Sequence, residues 1–132
     1  MAGKITVSTI NDSSGVLATQ NGMTGIAKAW LNYNGSAQTI TGSFNVSSVT
    51  YNGTGDYTVN FTTAMANANY SVCGATGSST GSGSPAGLIQ LNMSAAEASI
   101  PPTTSALRFR TVTASYSATS NPTYVNIAVF GA

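Results

Sequence analysis

Apolar and polar residues alternate along much of this chain with a period of two, most clearly from Ser43 to Cys73. Phe44 and Val46 fall on one face of an extended segment, and Val49 and Tyr51 share a face after an offset at Ser47-Ser48. Beyond Asn52-Gly53-Thr54-Gly55, Tyr57, Val59 and Phe61 alternate with Thr58, Asn60 and Thr62. This is the period of a half-buried strand, and the glycines supply the positive φ of a tight reversal. The stretch predicts a β-hairpin, then an Ala/Asn segment and a third strand from Tyr70 to Ala75.

The same pattern recurs on both sides. Lys4 to Ile10 reads as a strand with Ile5, Val7 and Thr9 on one face, closed by the turn cluster Asn11 to Gly15. Val16 to Gly25, broken by Asn21-Gly22, fits a short strand or a loop. Ile26 to Tyr33 reads as a strand that sets Ala27, Ala29, Leu31 and Tyr33 against Ile26, Lys28, Trp30 and Asn32. Gln38 to Thr41 adds a short strand. Leu88 to Met93 alternates again, Pro101-Pro102 interrupt any ladder, and Leu107, Phe109 and Thr111 face away from Arg108, Arg110 and Val112. After the turn at Asn121-Pro122 comes a closing strand, Tyr124 to Phe130, apolar on both faces apart from Asn126.

Short strands separated by turn signals, with no convincing helix, predict an all-β fold: an antiparallel β-sandwich or jelly-roll-like domain. A length of 132 residues fits one domain, 1–132. Area scaling gives roughly 6,500 Å² of folded surface against roughly 19,000 Å² unfolded, so a core is feasible without disulfide or metal. Within the domain, residues 1–25 are set apart as a candidate docking or oligomerisation segment, and 76–86, rich in Gly and Ser, as a flexible loop. A closing strand apolar on both faces is either central between layers or covered by a neighbouring subunit.

Charge changes the picture most. The charged side chains are Lys4, Lys28, Arg108, Arg110, Asp12, Asp56 and Glu97, and there is no histidine. Such a surface offers no basic field for nucleic acid and no polybasic or amphipathic membrane signal. It is cheap to desolvate, which favours packing against copies of itself or a larger assembly. No apolar run is long enough for a membrane span, and the N-terminus lacks the apolar core of a secretory signal.

Candidate chemistry is sparse. Without histidine there is no Ser-His or Cys-His pair and no imidazole metal site. Asp12 and Asp56 sit in turn contexts where an aspartate bonds nearby backbone N–H groups. Arg108 and Arg110, two apart on one face, read as a solvated stripe or as partners for Asp56 or Glu97, with an anionic or glycan contact as the alternative. Cys73, the single cysteine, reads as a small buried residue on a strand. Trp30 reads as a core residue, with stacking on a sugar ring as the alternative for it and for Tyr116. The glycine-rich run Gly77 to Gly83 has no lysine or following helix for a phosphate. The N-x-S/T triplets at Asn11, Asn34, Asn45, Asn52, Asn60, Asn69 and Asn92 fit the Asn/Ser/Thr-rich composition. No catalytic, cofactor or metal residue is assigned, and an enzyme is not expected.

GTGDYTVNFTTAM followed by NANYSV resembles a small β-domain of virion proteins of tailed bacteriophages, of the tail-fibre type. AKAWLNYNG at Ala27 to Gly35 and LRFRTVTASYSATSNPTYVNIAVFG at Leu107 to Gly131 are similar to strands on either side of the hairpin in that family. The resemblance implies a non-enzymatic virion structural protein, a tail-fibre-like appendage or adhesion module. It would be made in a host cytoplasm, assembled as a homotrimer with other virion proteins, and able to meet a host surface glycan. A capsid decoration or head-protrusion protein is the alternative, and a carbohydrate-binding adhesin domain a third. A chain from Met1 with only this domain lacks a shaft, so docking as a short appendage is expected.

Overall fold

The computed structural model describes residues 26–77, 87–113 and 119–131. Among them are eight strands: β1 Ala27–Asn34, β2 Thr39–Phe44, β3 Val46–Gly53, β4 Asp56–Phe61, β5 Ser71–Gly77, β6 Leu88–Leu91, β7 Ala106–Val112 and β8 Tyr124–Phe130. They form two antiparallel four-stranded sheets, β2-β1-β8-β5 (sheet I) and β3-β4-β7-β6 (sheet II), packed as a β-sandwich. The expected first strand at Lys4 to Ile10 and the ambiguous stretch up to Gly25 lie outside the described residues.

The period-two pattern decides what is buried. Ala29, Leu31 and Tyr33 of β1 and Val125, Ile127 and Val129 of β8 point inward from sheet I. Tyr57, Val59 and Phe61 of β4 and Leu107 and Phe109 of β7 meet them from sheet II. Tyr57 lies at the hairpin end of the core, stacked on Phe109 with ring centroids 5.3 Å apart and edge-on to Tyr33 at 5.5 Å. Its hydroxyl donates to Asn121 Oδ1 at 2.6 Å, and the same oxygen accepts the Gly55 amide at 2.7 Å. Burial, then the neighbouring Tyr33 and Tyr51 hydroxyls, push the Tyr57 pKa well above that of a free phenol. At the opposite end Met65 and Tyr70 close the core, with the Tyr70 hydroxyl donating to the carbonyls of Thr103 and Ala106.

The predicted hairpin is β3–β4, with Thr54 and Gly55 between the paired Gly53 and Asp56 and with the expected offset as a register shift between Val46 and Ser48. Gly55 has φ +66°, and a Cβ there would lie 2.7 Å from the Thr111 carbonyl oxygen, so only glycine fits. Phe44 and Val46, expected on one face of one strand, belong to different sheets. The chain turns between them at Asn45, whose φ is +55°, a left-handed conformation that asparagine tolerates. The Asn45 amide holds the corner: Nδ2 donates to the Lys28 and Thr63 carbonyls, and Oδ1 accepts the Thr63 amide at 2.7 Å. Phe44 is consequently exposed. Other boundaries also move. The short strand expected at Gln38 to Thr41 runs from Thr39 to Phe44, and the third strand continues to Gly77, so Thr76 and Gly77 are paired residues rather than the start of a loop. Residues 78–86 lie outside the described residues.

Candidate functional site

The outer faces of the two sheets are built from opposite materials. On sheet II the register aligns Ser48 with Asn60, Thr50 with Thr58 and Arg108, and Asp56 with Arg110 and Gln90. Neighbouring side chains close on each other. Asn60 Nδ2 donates to Ser48 and Thr50, both at 3.0 Å, and Asn52 Nδ2 to Thr58 at 2.9 Å. Arg108 forms a fork on Asp56, Nε to Oδ1 and Nη2 to Oδ2, both 2.8 Å. Asp56 Oδ2 also accepts the Ala95 amide at 2.7 Å, and Arg110 bonds Gln90 and Glu97. The turn at residues 94–97 therefore lies over this face and covers Arg110.

These contacts decide between readings of the charged residues. Arg108 and Arg110 are paired with Asp56 and Glu97, not a solvated stripe. Asp56 is 3% exposed, and its partners are Arg108, the Asn52 side-chain amide at 3.3 Å and a backbone amide 39 residues away rather than the backbone amides of its own turn. Burial raises the Asp56 pKa, but the Arg108 hydrogen bonds, the Ala95 amide, the Arg108 charge and Asn52 together outweigh it, and the net shift is downward. Asp12, Lys4 and Tyr116 lie outside the described residues. No group of three His, Cys, Asp or Glu side chains that could hold a metal occurs among the described residues.

The outer face of sheet I carries no such mesh. Its register lays Phe44, Trp30, Ala128 and Cys73 in one row across all four strands, and Gly42, Asn32, Asn126 and Ala75 in the next. Trp30 and Cys73, expected in the core, both project from this face. Trp30 is 42% exposed and Cys73 is exposed. The reason is parity: Leu31 and Val72 take the inward positions, and their neighbours must point out. The Trp30 ring leans across the strand onto Gly42, where an added Cβ would sit 3.4 Å from it. β8 occupies the middle of sheet I, yet its second face is only partly covered: Tyr124 is 54% exposed, and Ala128 and Phe130 are half-buried.

Between Trp30 and Cys73 the face dips into an open trough of about 470 Å³. Asn32, Ala75, Asn126 and Ala128 line it. Neither asparagine amide hydrogen-bonds another described residue, in contrast to Asn52 and Asn60 on sheet II. Sequence reasoning offered Trp30 as a stacking residue only as the alternative to a core role and placed Cys73 inside, so it did not assemble this site. The usable signal was the shared phase of Trp30 with Asn32 and of Ala128 with Asn126, each outward whenever its neighbours are core. No protein family model, curated protein or solved structure matches the chain.

Proposed function

We infer that the protein is a non-enzymatic structural module of a bacteriophage virion, a tail-fibre-like appendage or adhesion domain that offers the outer face of sheet I to a partner. The family part of this reading is supported by the resemblance of the hairpin, β1 and β7–β8 segments to tail-fibre-type proteins. The observation that carries the adhesive part is the asymmetry of the sandwich. One outer face consumes its polar groups internally, while the other leaves Trp30, Tyr124 and two asparagine amides open to solvent.

Self-association belongs to the same reading, with a homotrimer as the expected form. Tyr124 and Phe130 stand at the two ends of β8 on the open face. Full burial of such an aromatic contributes about 1.5–3 kcal/mol per side chain, and Tyr124 and Phe130, already partly buried, would contribute less. Immunogold labelling of particles tests the location, and labelling confined to capsid shells would favour a decoration protein instead. Sedimentation tests the trimer. Phe130→Asp should dissociate it, and a wild type that is monomeric at micromolar concentration would remove the trimer from the proposal.

A further inference from the structure

A pyranose ring has C–H groups on its flat faces, hydroxyls around its rim and no charge. A site for it needs an exposed aromatic platform, small residues beside the platform, and side chains that both donate and accept hydrogen bonds. The trough on sheet I has these parts in register. Trp30 forms one wall, Ala128 and Ala75 keep the floor low, and Asn32 and Asn126 stand opposite each other on paired strands. An amide supplies two donors and an acceptor with two lone pairs, and both amides are unengaged among the described residues while exposed. A volume of about 470 Å³ is within the roughly 300–1,000 Å³ of small-ligand sites.

Other occupants fit less well. No charged side chain lines the trough, so phosphates and carboxylates find no counter-charge. A nucleobase could stack on Trp30, but its backbone needs a basic groove. A second copy is the remaining alternative occupant, and the experiment below separates it from a sugar. We propose that this trough is a binding site for a neutral saccharide, with Trp30 as the stacking platform and Asn32 and Asn126 as the hydrogen-bonding pair. The proposal deepens the adhesion reading and rests on it for its biological setting.

Two built-in reporters make it testable on the full chain. Trp30 is the single tryptophan and Cys73 the single cysteine, and both line the trough. The probes are glucose, galactose, mannose, N-acetylglucosamine, cellobiose and lactose. At least one should give a saturable blue shift of the tryptophan emission. At ten times its dissociation constant it should slow maleimide labelling of Cys73 by about tenfold. Asn126→Ala should weaken the fluorescence response about tenfold, the effect of losing hydrogen bonds worth about 1.4 kcal/mol. Ala75→Trp should block the trough, and Trp30→Ala, read by Cys73 protection, should abolish binding. Silence of both reporters across the panel would overturn the proposal. So would binding that survives Asn126→Ala and Ala75→Trp unchanged. A concentration-dependent red shift of Trp30 on dilution of Phe130→Asp, which lacks the trimer contact, would also overturn it, because a second copy would then be the occupant of the trough. Failure here leaves particle labelling unaffected, and absence from particles leaves a measured sugar affinity standing, so the two readings fail separately.

Discussion

The two outer faces of the sandwich start from the same polar alphabet and finish differently. On sheet II, Asn52, Asn60, Ser48, Thr50 and Thr58 find one another across strands, and Asp56, Arg108 and Arg110 are locked by the turn at residues 94–97. On sheet I the cross-strand partners of Trp30, Asn32 and Cys73 are Ala128, Asn126 and again Ala128. On their other sides Asn32 and Asn126 neighbour Gly42 and Ala75, which have no side-chain polar group to bond, and the two amides do not bond each other, so they stay available. A low-charge surface is thus not uniformly inert. Where side chains of complementary reach are paired in register the face is self-sufficient, and where large residues are paired with small ones it is hollow.

The largest break in this comparison should come at Asp56. Asp56→Ala removes the acceptor of the Arg108 fork and of the Ala95 amide. Removing one partner of a fully buried pair costs more, but the Arg108 side chain is 26% exposed, so a loss of about 2–3 kcal/mol is expected. Chemical denaturation measures it. A loss comparable to that of Asn126→Ala would show that the closed face is not what stabilises the sandwich. Acid should act on the same group. The Asp56 pKa is depressed in the folded state, so its contribution is complete above the ordinary value of 3.8 and disappears as pH falls through the lower folded value. The melting temperature should therefore drop as pH falls below about 4, and Asp56→Asn should flatten that drop. A mutant profile parallel to wild type would transfer the acid sensitivity to another carboxylate.

A matched pair sharpens the contrast. Asn60 and Asn126 both project from outer faces, but Asn60 donates to two hydroxyls. Asn60→Ala should cost about 1 kcal/mol, whereas Asn126→Ala should stay within about 0.5 kcal/mol. Equal costs would erase the distinction between the faces. The smallest effect is expected at Cys73. Its exposed position predicts rapid native labelling by a thiol reagent, and Cys73→Ser should shift stability by no more than about 0.5 kcal/mol. Slow labelling would mean that the open face is covered in solution.

How much of this was legible in the sequence depended on which interaction decided each element. Strand existence and the inward rows were readable because burial imposes a strict parity: Tyr57, Val59 and Phe61, or Leu107 and Phe109, each announce a face. Apolar character alone misled. Trp30 and Cys73 look like core residues by type, yet their inward neighbours Leu31 and Val72 had already claimed that phase. The break at Asn45 was hidden because its neighbours continue the alternation, and only a positive φ with a satisfied amide separates β2 from β3. The pairing of Arg108 with Asp56 was among the sequence alternatives, since both fall on predicted strands or their ends. The clamp from Ala95 was not, because a backbone amide in an irregular turn leaves no compositional trace. The trough needed the register of three strands at once, and register is a property of pairs that one strand's pattern does not contain.

Pairing of β1 with β8 carries a mechanical consequence. Ala27 lies beside Phe130, and from there the antiparallel pair runs to Tyr33 beside Val125. Tension applied between residues 26 and 131 would therefore load the hydrogen bonds between these strands one after another from that end, peeling the pair like a zipper. It would not shear all the bonds at once. Strands in that geometry yield at low force. If the domain is tethered through its two ends it should behave as a pendant that opens under strain, and if it is anchored at one end alone the seam carries no load. Attachment through a single point would thus keep the face bearing Trp30 intact while its anchor is pulled.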